Sequence, residues 1–104
     1  MTKVKQLTEL INQLELIMRQ LGQWQETPPS EQALLSQQPF AIDTLTPSEW
    51  LQWVFVARMR GLIALGQPLP SGFSIAPYFE ECWKEQSNFT PLVTIIQELD
   101  EVCR

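Results

Sequence analysis

Histidine is absent from all 104 residues. Its absence removes the commonest general base and zinc ligand, and with them every Ser-His or Cys-His nucleophile. Glycine is scarce and scattered, at Gly22, Gly61, Gly66 and Gly72, so neither a phosphate-cradling loop nor a dinucleotide fingerprint can be drawn. The two cysteines, Cys82 and Cys103, form no C-x-x-C pair. They suit a reducing compartment where each thiol is a small buried hydrophobe, and Cys82, with no base or cation cluster beside it in sequence, reads as buried and inert. No apolar run approaches the length of a bilayer span, and Met1-Thr2-Lys3-Val4-Lys5 leads into an amphipathic pattern rather than a signal peptide. A cytoplasmic protein without membrane contact or cofactor is the expectation, which also sets aside the sequon Asn88-Phe89-Thr90. Alternating strand patterns are missing throughout.

What is present suffices for one folded domain over 1–104. The apolar share is 44%, and the length allows a core without disulfide or metal. Seven Lys and Arg against twelve Asp and Glu give a net charge of −5, with much of the excess acid at Glu80, Glu81, Glu85, Glu98, Asp100 and Glu101. Such a chain repels phosphate backbones, so direct nucleic-acid binding is disfavoured.

Val4, Leu7, Ile11, Leu14, Met18 and Leu21 recur at spacings of three and four, which predicts a first helix capped by Thr2 and ended by Gly22. The same stripe is a heptad seam, leaving a homodimeric coiled coil open beside packing within a bundle. Pro28 and Pro29 stop any continuation. Ser30 can cap a short turn over residues 31–35, and the long connector is expected to pack through Trp24, Phe40 and Ile42.

Thr46-Pro47-Ser48-Glu49 carries a reciprocal cap and a proline at the first helical position, predicting a central helix from Pro47 to Leu65 with Gly66 as its stop. Wound at 100° per residue, that helix leaves only Gln52, Arg58 and Arg60 plainly polar, which predicts an element surrounded by others. A proline-bearing loop over 67–72 follows, then a short helix from Pro77 to Glu85 and a last helix from Pro91 to Val102 capped by Asn88 or Thr90. The fold class is therefore all-α, a compact bundle of four main helices with an additional short helix in a long connector.

Gln38-Pro39-Phe40, Asp43-Thr44, Pro47, Glu49-Trp50-Leu51-Gln52-Trp53-Val54, Arg58-Met59, Gln67-Pro68-Leu69-Pro70, Phe73 and Ala76-Pro77-Tyr78, with Glu80, resemble the YqcC-like family of small bacterial proteins. The detailed match runs from Gln38 to Glu80; the first and last helices agree in amphipathic pattern alone. The resemblance implies an all-helical bacterial cytosolic protein of unestablished biochemical role and brings no catalytic residues. Genes of this family often neighbour one for a tRNA pseudouridine synthase, which implies an accessory role.

Glu80 and Glu81 diverge by about 100° on a helix and so make no acid/base pair; Glu80 with Lys84 reads as a surface ion pair. The acidic tail at Glu98, Asp100 and Glu101 lacks calcium-ligand spacing and reads as a solvated helix face. Arg58 breaks its local rule, falling on the wheel between Val54 and Leu65 on one side and Leu51 and Leu62 on the other. A guanidinium on such a face needs water or a carboxylate, and Asp43 and then Glu80 are the candidate partners. The functional alternative is an anion site at Arg58 lined by Trp50, Trp53 and Tyr78. Trp50 and Trp53 are expected inside, with Trp24 and Trp83 at an edge a partner can cover.

Two functions from different classes follow. The leading one is a non-enzymatic accessory domain binding another protein, such as a tRNA-modifying synthase. The rival is a small-molecule or anion-binding domain anchored by Arg58, which requires a concave pocket reaching that guanidinium.

Overall fold

The computed structural model describes residues 2–104; Met1 and the Thr2 side chain, with the cap expected from it, lie outside the described residues. Five helices and no strand occur among them. Helix α1 spans Thr2–Gln20 and α2 spans Glu31–Leu34. Helix α3 runs over 47–64, α4 over Ala76–Cys82 and α5 over Thr90–Val102. The expected bundle of four main helices with a short one in the connector is what is found.

The apolar stripe of α1 is used up inside the chain. Leu7, Leu10, Ile11, Leu14 and Met18 are buried against α5, which supplies Leu92, Ile95, Ile96 and Leu99. Val4 alone of the expected seam is well exposed, while Leu21 packs at the core's edge. With its seam inside the bundle, α1 cannot also zip to a second copy.

Local capping chemistry sets several of the boundaries. Thr46 Oγ1 accepts from the Glu49 amide at 3.2 Å and Glu49 Oε1 accepts from the Thr46 amide at 2.9 Å, closing the reciprocal cap at the start of α3. Ser30 Oγ accepts from the Ala33 amide at 3.1 Å. Gly22 and Gly66 follow α1 and α3 at φ 72 and 65, left-handed values that glycine takes without strain. At α5 the expected side-chain cap is not used: buried Phe89 holds the capping position, with Pro91 just inside. Helix α4 ends at Cys82, three residues before Glu85.

Helix α3 departs from the α geometry assumed for it. Between α-helical Pro47–Glu49 and Ala57–Ala64, residues Trp50–Val56 are wound as a π-helix. Its i→i+5 bonding turns each residue through less than 100°, so positions four apart come nearly into register. Leu51, Phe55 and Met59 accordingly line one buried row, with Gln52 and Val56 beside them. The opposite side stays open to solvent, and Leu65 is 75% exposed. The helix is thus not surrounded, and Arg58 lies exposed rather than inside an apolar face.

Aromatic rings join the elements. Contacts run from Phe73 to Phe55, Trp50, Phe40, Tyr78, Phe79, Trp83 and Phe89, with Phe40 stacked on Tyr78 at 4.0 Å between centroids and 10° between planes. Phe40 reaches this stack from a left-handed backbone, φ 57, followed by Ala41 at φ 48. Two adjacent non-glycine residues in that region are strained, and burying Ala41 and the Phe40 ring offsets the strain. The connector is therefore pinned through Trp24 and Phe40, whereas Ile42 points outward at 63% exposure.

Candidate functional site

Trp50, Val54 and Arg58 stand four residues apart on α3, and Phe55 and Met59 form the adjoining row. Together with Pro70, Phe73 and Ile75 of the loop after α3 they line a hollow of about 240 Å³ that is open to solvent. Arg58 is the one charged side chain lining it. The loop that forms the far wall is tied down at two points. The Gly72 amide donates to the Cys103 carbonyl at 2.7 Å, and the amides of Ile75 and Ala76 donate to Asp100 Oδ1 and Oδ2 at 3.0 and 2.8 Å. Asp100, expected on a solvated face, thus caps α4 from α5.

Arg58 differs from the other arginines. Arg19 and Arg60 grip Glu15 at 2.8 and 2.7 Å, and Arg104 reaches Glu101 at 3.4 Å, while Arg58 has no carboxylate among the described residues. Neither expected partner meets it. Asp43 is exposed on the outer turn of the connector and accepts from the Ser36 hydroxyl; Glu80 faces α5 and accepts from Gln97 Nε2 at 2.7 Å. Lys84, past the end of α4, pairs with Glu81 at 2.7 Å rather than with Glu80.

The sequence-derived cluster is therefore divided. Trp50 and Arg58 share the cavity. Tyr78 lies behind Trp50 on the Phe40 ring, and Trp53 turns away to donate from Nε1 to Gln25 Oε1 at 2.9 Å. Both Trp50 and Trp53 are half-buried rather than inside. Of the two tryptophans expected at an edge, Trp24 is half-buried beneath the guanidinium groups of Arg19 and Arg60, 5.3 and 6.0 Å from its centroid. Trp83 is 7% exposed, because Phe79 and Trp83 lie four apart and both face the core. That placement turns Cys82 outward, so it is exposed, while Cys103 is buried as expected.

Titration follows these surroundings. Burial, with the Cys82 thiol beside its hydroxyl, pushes the Tyr78 phenol up to about 12. Burial also pushes the Cys103 thiol up, which keeps it protonated and unreactive. Although burial acts to raise Glu15, hydrogen bonds from Arg19 and Arg60 outweigh it and hold the carboxyl below its ordinary value. Hydrogen bonds from the Thr46 backbone and the Gln25 side chain lower Glu49 in the same sense.

Sequence reasoning missed a polar clasp between the end of α1 and the start of α3. Gln52, 4% exposed, accepts from the Gln25 amide and donates to its carbonyl, both at 2.8 Å, and Ser48 donates to Gln23 Oε1 at 2.9 Å. A glutamine inside an otherwise apolar run was the available signal. Among the described residues no group of three His, Cys, Asp or Glu is placed to hold a metal, and no helix is long and apolar enough to cross a membrane.

Residues 6–102 match the model of the family DUF446, described as tRNA pseudouridine synthase C. An uncharacterised protein of Haemophilus influenzae is 43% identical over 97 residues, which are 93% of this chain and 92% of that protein. The uncharacterised protein YqcC of Escherichia coli is 45% identical over 67 residues, 64% of this chain and 62% of YqcC. A Pectobacterium carotovorum protein named tRNA pseudouridine synthase C is 36% identical over 84 residues, 81% of this chain but 22% of that longer protein. The solution NMR structure of YqcC from E. coli is similar in fold, with a TM-score of 0.85 at 33% identity, covering 98% of this chain and 88% of that one.

Proposed function

The chain belongs to the DUF446 family, and from that membership we propose that it is a non-enzymatic accessory domain that binds a tRNA pseudouridine synthase. The observation that carries this reading is the Pectobacterium protein, in which a stretch similar to this chain makes up about a fifth of a longer protein bearing the synthase name. Covalent linkage raises the local concentration of one unit beside another, which is useful where the two work in contact. A separate chain of the same family has to supply that proximity by binding.

Charge supports the choice of partner. A net charge of −5 repels tRNA but attracts a protein whose own surface is cationic in order to hold tRNA. A surface for apolar contact is at hand on the connector. Leu34, Leu35 and Ile42 are exposed there, and their strands of chain are held together by the Thr44 hydroxyl donating to the Ala33 carbonyl at 2.7 Å. Exposed leucine and isoleucine side chains on these two joined stretches are what a partner surface would cover.

The test is tRNA pseudouridylation by the synthase of the same organism, with and without this chain in stoichiometric amount. The expected result is a change in rate or in the range of tRNAs modified that is lost when Leu35 and Ile42 are both replaced by Asp. An unchanged reaction in the presence of excess folded chain would defeat the proposal.

A further inference from the structure

We propose that the cavity between α3 and the following loop is a binding site for a small monocarboxylate with an apolar body, its carboxylate held by Arg58. This stands apart from the synthase partnership and can fail without it. The cavity walls are apolar, with Trp50, Phe55, Met59, Phe73 and Ile75 among them, and the single charge is a guanidinium without a carboxylate among the described residues. Four other hollows of comparable size are each lined by at least one carboxylate: Glu9 in one, Glu15, Glu80 and Asp100 in the others. This hollow has none, so an anion entering it meets no like charge on its walls.

Size and geometry narrow the ligand class. A hollow of about 240 Å³, below the roughly 300 Å³ at which drug-sized pockets begin, has room for one ring or a branched alkyl group with its acid. The planar guanidinium offers paired N–H donors that match a carboxylate in a way an ammonium does not. The π-helical winding supplies an independent observation. It brings Trp50, Val54 and Arg58 nearly into one row beside Phe55 and Met59, and such windings recur at functional sites. The far wall is fixed in advance by Asp100 and the Cys103 carbonyl, so little ordering is required on binding.

The full chain, labelled with nitrogen-15, is titrated with phenylacetate, with uncharged phenylacetamide and ringless acetate run in parallel. The expected result is saturable shifts of the Val54, Arg58, Phe73 and Ile75 amides with phenylacetate, at a dissociation constant of roughly millimolar order for so few atoms. Phenylacetamide and acetate should each bind roughly tenfold more weakly or worse, and Arg58→Gln should weaken phenylacetate by a similar factor. Arg58→Lys, which keeps the charge and loses the fork, should fall between; it also reports on the site if the Gln variant does not fold. Absence of saturation, equal binding of phenylacetamide, or phenylacetate binding unchanged in both Arg58 variants would overturn the proposal.

Discussion

Asp100 accepts the backbone N–H groups of Ile75 and Ala76, 25 and 24 positions away, so it closes α4 and fixes one wall of the Arg58 hollow at once. Truncating it leaves two donors at a helix start without partners, which typically costs about 1 to 3 kcal/mol. Asp100→Ala should therefore lower the denaturant-derived stability by about that amount, and a midpoint unchanged within error would show the cap to be idle. No local pattern could announce this role, because the aspartate and its donors meet only when α5 packs against α4. Tyr78 offers a second check, being the only tyrosine in the chain. Its phenolate absorbance should appear about two pH units late, near 12 rather than 10. A raised phenol contributes stability that is complete below pH 10 and lost as pH climbs through the folded value. Phe40→Ala removes the ring stacked on Tyr78 and should bring the titration back toward 10.

Element boundaries were largely legible because they rest on neighbours in sequence. Thr46 with Glu49, Ser30 with Ala33, and the glycines after α1 and α3 all act where spacing placed them. The rotation of α3 was not legible. An α-helical wheel set Arg58 among Val54, Leu51 and Leu62, whereas the π-wound segment makes Leu51, Phe55 and Met59 the buried row and leaves Arg58 outside. Nothing in residues 50–56 marks that winding. Of the six residues singled out in the sequence, Trp50 and Arg58 line one hollow, while Asp43, Trp53, Tyr78 and Glu80 serve other contacts.

Two predictions belong to this scale. Gln52→Leu strips both hydrogen bonds from the Gln25 backbone, so it should destabilise by about 1 to 3 kcal/mol and speed hydrogen exchange at the Gln25 amide. Glu15 and Glu49 both have depressed carboxyls, so their contribution is present above the ordinary value of 4.5 and lost as pH falls through the lower folded values. Thermal midpoints should hold steady on the neutral side and drop below pH 4.5, and replacing both residues by Gln should flatten that acid limb. An acid limb of undiminished slope in the double variant would place its origin elsewhere.

At the scale of the whole molecule, the helices spend their apolar stripes on one another, and the exposed leucine and isoleucine side chains concentrate partly on the connector at Leu34, Leu35 and Ile42. On the proposed function, these side chains and the net negative charge meet a basic protein partner. The measurement that bears most directly on this account is size-exclusion chromatography with light scattering of the nuclease-treated chain mixed with the tRNA pseudouridine synthase of the same organism, at micromolar concentration. Co-elution at a mass equal to the summed partners, lost when Leu35 and Ile42 are both replaced by Asp, is the result predicted. Elution of the two proteins as separate species, each at its own mass, would contradict it.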